Sequence, residues 1–92
     1  MNQNQSIFSI KFEKYTAELE ISELSLRCVT GNIIHFDIPM EQLRAYVQSK
    51  SNTVLFSFYQ NDIPKQTTIT SKHCISILKY FDSLVKKRIL IV

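Results

Sequence analysis

The sequence predicts an α+β domain: a bent antiparallel sheet or small barrel of about six to seven strands, closed by a long C-terminal amphipathic helix. Three observations carry that class. Residues 6–38 alternate apolar and polar side chains in short runs of period two, the signature of half-buried antiparallel strands. Residues 53–59 and 66–70 return to strand-like composition after an interruption. Residues 71–88 then change period, with Cys74, Ile77, Leu78, Phe81, Leu84 and Val85 recurring at steps of three and four. A sheet with one apolar face needs an apolar cover, and this last helix is the cover the chain offers.

Taken in order, Phe8, Ile10 and Phe12 form the inward side of a first strand, with Ser9 and Lys11 outward. Tyr15, Ala17, Leu19 and Ile21 repeat the pattern opposite Thr16, Glu18, Glu20 and Ser22. Ala, Glu and Leu favour helix by propensity, but period two over eight residues selects strand. Leu24, Leu26 and Cys28 make a third run. Thr30-Gly31-Asn32 reads as a hairpin turn in which Gly and Asn tolerate positive φ, and Ile34, Phe36 and Ile38 make a fourth, with His35 and Asp37 outward. In residues 39–50 the period shifts: Met40, Leu43, Tyr46 and Val47 share a helical face, Pro39 suits a first turn, and Asp37 could cap it. A short helix is expected there, the competing reading being an extended crossover with one turn. Val54, Phe56 and Phe58 stand against Leu55, Ser57 and Tyr59 in a strand apolar on both sides, as a central strand would be. Residues 60–65 read as the longest loop and 66–70 as a sixth strand. Thr70 or Ser71 is placed to cap the final helix, and Lys86, Lys87 and Arg88 offset the negative end of its dipole. Ile89-Leu90-Ile91-Val92 reads as core, edge strand or an apolar foot.

Ninety-two residues suit one domain, which on folding hides roughly 60 to 65 per cent of the surface its unfolded chain exposes. Residues 1–5 read as a polar tail without the features of a leader, and 6–92 as the single domain. Hydrophobic residues at 45% and charged residues at 21% exclude intrinsic disorder, and no apolar run approaches a membrane span. Two cysteines, Cys28 and Cys74, read as free thiols facing the core in a reducing, cytoplasmic setting.

Charge is polarised along the chain. Residues 1–45 hold four basic and six acidic side chains, whereas residues 46–92 hold seven basic ones against Asp62 and Asp82. Lys72, Lys79 and Lys86 are spaced by seven and line one side of the last helix, joined at its end by Lys87 and Arg88. A solvated outer face is the plain explanation; docking to an acidic partner is the functional one. Nucleic acid is disfavoured, because a pI near 9.0 is mild and the aromatics fall on core faces rather than among the lysines.

Sites for chemistry are poorly supported. Cys28, His35, His73 and Cys74 add up to four zinc-type ligands, but zinc needs them converging on a point about 2 Å from each. Cys28 points inward and His35 outward, while His73 and Cys74 are about 100° apart on a helix. The same divergence denies Cys74 a base in His73, even where a helix start would lower a thiol pKa. Glycine-rich phosphate loops, HExxH, GxSxG and paired carboxylates are all missing, so the sequence does not predict an enzyme or a cofactor.

The run Ile33-Ile34-His35-Phe36-Asp37-Ile38-Pro39, then Leu43 and Val47, then Val54-Leu55-Phe56-Ser57-Phe58, then Thr67-Thr68-Ile69-Thr70-Ser71 into the helix resembles the second half of the pleckstrin-homology-like superfold, GRAM-type variants included. That resemblance implies an orthogonal sandwich of antiparallel strands with a C-terminal helix plugging one end. The family has seven strands where six are counted here. Its lipid-binding members carry a basic cluster across the first strand pair, whereas Lys11 and Lys14 are here followed by Glu18 and Glu20. Phosphoinositide binding is therefore not carried over, and members without the cluster act as protein-interaction modules. An open sheet with two helices on one face fits the same elements if residues 39–50 are helical.

The expectation is a non-catalytic protein-interaction module, an adaptor or subunit of a larger assembly. It would dock an acidic protein surface through Lys72, Lys79, Lys86, Lys87 and Arg88, and pair through a strand edge with a partner or a second copy. The alternative is peripheral attachment to acidic membrane lipid through the same residues and the apolar tail.

Overall fold

Alternation in the sequence becomes a single sheet. In the computed structural model, which describes the backbone of residues 5–91 and the side chains of residues 5–85, seven strands precede one helix. The strands are β1 (Gln5–Phe12), β2 (Tyr15–Ser22), β3 (Ser25–Thr30), β4 (Ile33–Pro39), β5 (Leu43–Lys50), β6 (Thr53–Gln60) and β7 (Ile63–Thr70), and the helix is α1 (Cys74–Ile91). Every pairing is antiparallel and the order is β4-β3-β2-β1-β7-β6-β5, leaving β4 and β5 as the two edges of an open sheet. Residues 1–4 of the expected tail lie outside the described residues, and Gln5 already pairs with Ser22.

The sheet has a weak seam. β1 and β2 pair along their whole length, whereas β1 and β7 are joined in register only at Lys11 and Thr70. Side chains from both halves nonetheless share one core: Leu19, Ile21, Leu26 and Ile38 from one side, Val54, Phe56 and Ile69 from the other. That requires the sheet to turn at the seam. α1 fills the space between with Cys74, Ile77, Phe81 and Leu84, all buried. Phe81 stacks on Tyr46 at 4.8 Å and meets Phe56 at 5.4 Å, so the helix is locked to β5 and β6 by aromatic contact.

Several expectations need correction. Residues 39–50 are not a helix: a single 3-10 turn (Met40–Gln42) leads directly into β5, which also removes the arrangement with two helices on one face. The reason is a bulge. Leu43 pairs with Phe58 and Ala45 with Ser57, so Arg44 is the extra residue, and Leu43 and Tyr46 both face the core three positions apart. A bulged strand has imitated the spacing of a helix, and Val47, the fourth member of the supposed stripe, is 48% exposed.

The expected long loop at 60–65 is a two-residue turn. Asn61 and Asp62 take φ of 54° and 66°, the left-handed pair that a tight hairpin needs and that Asn and Asp tolerate. β7 can then begin at Ile63 in spite of Pro64. Ladder pairs alternate between bonded and non-bonded, and the proline's missing N–H falls on the side where β7 has no paired neighbour at that height.

Leu24 lies in the β2–β3 turn rather than in a strand, and is 83% exposed. There Ser22 Oγ accepts the N–H groups of Leu24 and Ser25, each at 3.2 Å. Gly31 turns between β3 and β4 as expected, at φ +58°, while Asn32 does not share its positive φ. Tyr15, expected inward, is largely exposed beside the rim of the core.

Site residues on the helix

The start of α1 is set by Ser71, not by a cap directly on the helix. Ser71 is buried; its hydroxyl donates to the Ser9 carbonyl of β1 at 2.8 Å and accepts the His73 N–H at 2.9 Å. Its own backbone N–H donates to Asn52 O at 2.8 Å. One residue therefore ties the end of β7, the β5–β6 turn, β1 and the helix entry. The first helical bond runs from the Ile77 N–H to His73 O, and α1 begins at Cys74, three residues after Ser71, where the helical pattern starts in the sequence.

This entry breaks the lysine line at its first member. Lys72 is exposed but sits in the turn ahead of the helix, and Lys79 is exposed on α1 itself. Lys86, Lys87 and Arg88 lie within α1, their side chains outside the described residues. Residues 89–91 continue the helix, so the edge-strand reading of the tail does not hold. The outer face is also mixed rather than purely cationic. Ile75 is 56% exposed, Val85 lies at the margin of the face instead of in the core, and Asp82 accepts a hydrogen bond from the Tyr46 hydroxyl at 2.9 Å.

Cys28, His35, His73 and Cys74 do not converge. Cys28 and Cys74 are buried free thiols in the core, and among the described residues no three His, Cys, Asp or Glu side chains gather as a metal would require. Burial pushes the Cys28 thiol up to about 11 and raises Cys74 as well, so a buried start to α1 works against a thiolate rather than for one. His35 is half-buried, not a surface imidazole. Its ring lies 4.9 Å from Tyr15 and 5.3 Å from Phe12, and its Nε2 is 2.8 Å from Thr30 Oγ1. The same hydroxyl reaches Thr16 O at 3.1 Å, so Thr30 links the His35 ring to β2. His73 stays near the helix entry, 6.5 Å from Phe8.

Charge divides the two halves of the sheet. Strands β2–β4 carry Glu18, Glu20 and Asp37 around Arg27, which stands 3.8 Å from both Glu20 and Asp37. Those distances are too long for hydrogen bonds, and Arg27 Nε is buried without one. Strands β5–β7 contain no Asp or Glu at all, and carry Arg44, Lys50 and Lys65. Two shallow grooves flank the β6–β7 hairpin. One, of about 360 Å³, lies between Asp37–Pro39 and Phe58–Asp62. The other, of about 430 Å³, is lined by Arg44, Ser57, Tyr59, Pro64, Lys65 and Gln66, with Phe58 beneath. The charge asymmetry was legible in the sequence; the second groove was not, because the bulge that brings Arg44 over Tyr59 was read as a turn of helix.

No helix among the described residues is long and apolar enough to cross a membrane. No family model matches the chain. It is similar to a stretch of Autophagy-related protein 2 from Candida albicans, 29% identical over 93 aligned residues. The match takes in 90% of this chain and 5% of that protein, so the chain spans a small fraction of the length of this relative.

Proposed function

We propose that this chain is a non-catalytic protein-interaction module of the pleckstrin-homology-like kind, working as an adaptor or as one unit of a larger assembly. The observation that carries this reading is the division of α1. Its inward face is spent on the core, while Lys79 and Ile75, together with Lys72 ahead of the helix, are left to solvent. A helix with one committed and one free face beside two unpaired strand edges is suited to docking. Seven antiparallel strands followed by one helix supply the strand count that the superfold implies and that the sequence had left one short. The likeness to a short stretch of a far longer protein also suits a module that works as part of something larger. Two buried free thiols fit a reducing compartment, and we place the module in the cytoplasm.

The partner is expected to be an acidic protein surface. The test is recovery of partners from native extract by the wild type, by the triple variant K72E/K79E/K86E and by an edge variant I33K/I34K on β4, where both isoleucines are exposed. Loss of a partner with either variant supports the module. Unchanged recovery with both overturns it. Sedimentation with anionic vesicles that disappears on truncation after Arg88 would assign the helix to acidic lipid instead.

A further inference from the structure

From the free edge of β4 we infer a second copy of this chain as its occupant, joined antiparallel about a two-fold axis; the inference rests on the reading of the strand edges as docking surfaces. β3 takes up the N–H and C=O groups of alternate residues along one side of β4, and among the described residues no strand pairs with the other side. Exposed apolar groups stand at both ends of this edge. At its start Ile33 is 61% exposed and Ile34 51%, adjacent residues that cover the two faces of the strand. At its end Pro39 is exposed, and beside it Leu24, 83% exposed, lines a shallow groove with Pro39 and Met40 that Glu23 and Glu41 flank. Leu24 is held in place: its carbonyl accepts the Met40 N–H at 2.9 Å and its own N–H donates to Ser22 Oγ. An apolar side chain fixed by its backbone and left to solvent is a preorganised anchor.

The placement of these groups selects the occupant. Antiparallel pairing of β4 with itself brings the Ile33–Ile34 end of each copy to the Leu24–Pro39 end of the other, so both apolar clusters leave water in one self-complementary contact. Charge points the same way. β4 carries one carboxylate, Asp37, which already stands 3.8 Å from Arg27, and no Lys or Arg. β5, the other edge, carries Arg44 and Lys50 with no Asp or Glu, and pairing it with itself would gather four cations. The bulge at His35, the extra residue between Ile34 and Phe36, interrupts the edge and keeps the contact short. Specific interfaces bury about 1,200 Å² or more, and one interrupted edge with a few apolar side chains belongs at the small end of that range. The dimer therefore forms and dissociates with concentration.

The test is sedimentation equilibrium of the full chain over a wide range of concentration, with amide spectra of mixed samples. A monomer–dimer equilibrium is expected. Leu24→Ser and Ile34→Lys should each weaken it about tenfold or more, while Val47→Lys on β5 should leave it unchanged. All three side chains are exposed, so an unchanged spectral dispersion verifies the fold. A spin label on Asn32→Cys should broaden the Leu24 and Met40 amides of unlabelled copies, as antiparallel pairing requires; broadening at Ile33 and Ile34 instead overturns it. A chain that stays monomeric at every concentration overturns the inference, as does association that survives both Leu24→Ser and Ile34→Lys, or that grows beyond two copies. Where the chain is monomeric and I33K/I34K still loses a partner from native extract, the edge docks a different protein, and the second copy falls while the module stands.

Discussion

At the residue scale, the contacts of Phe81 decide most about stability. It is 1% exposed and shared between the helix and two strands through Tyr46 and Phe56. Phe81→Ala should cost about 3–5 kcal/mol, the range for deleting a buried aromatic, which for a domain of this size is a large share of the total. Urea unfolding followed by circular dichroism would measure it. The buried thiol predicts the response to alkali. The Cys28 thiol is raised from 9.0 to about 11, so the folded state holds its proton while the unfolded chain gives it up. Its contribution is whole below pH 9 and lost as pH climbs towards 11. Tyr46 adds to this at higher pH, because burial, then its hydrogen bond to Asp82 and that carboxylate's charge, push it up to about 12. The urea midpoint should therefore fall from pH 9 upward, and both thiols should react with a disulfide reagent only as fast as the domain opens. A burst of reaction with native protein at pH 7 would contradict the buried placement.

At the element scale, Ser71 is where β7 becomes α1. Replacing it with alanine leaves the Ser9 carbonyl and the His73 N–H without their partner in a buried place. A cost of about 1–2 kcal/mol is expected, together with faster amide exchange in the first turn of α1 than elsewhere in the helix. Elements also show how far the sequence could be read. β1 and β2 were legible because their apolar side chains keep strict alternation, and α1 because Cys74, Ile77, Phe81 and Leu84 keep a helical stripe. β5 was not legible. Its bulge shifts the inward positions from a spacing of two to one of three, and pattern alone cannot separate that from a helix. The Asn61–Asp62 turn was hidden for a related reason. Residues 60–65 read as one loop in sequence, and only the pairing with β6 shows that a strand begins at Ile63 with the missing N–H of Pro64 not needed.

At the scale of the whole molecule, the seam between β1 and β7 makes α1 indispensable. The two halves of the sheet share only the Lys11–Thr70 ladder pair across it, with the Ser71 hydroxyl on the Ser9 carbonyl beside it, and are otherwise joined through their common core and the helix that fills it. A chain ending at Lys72 should lose its cooperative thermal transition, because Ile77, Phe81 and Leu84 leave together and expose the inner faces of both halves. Retention of a sharp transition would mean that the strands close without their cover.

By itself, the sequence determined the α+β class, the alternating faces of β1 and β2, the terminal helix and the uneven distribution of charge. Each of these is a property of neighbours along the chain: a period, a propensity or a count. Only the tertiary structure decided that residues 43–50 are an edge strand, that His35 packs between Tyr15 and Phe12, and that Arg44 lies over Tyr59. Those depend on ladder register and on which strand lies beside which, and a one-residue bulge is enough to change them.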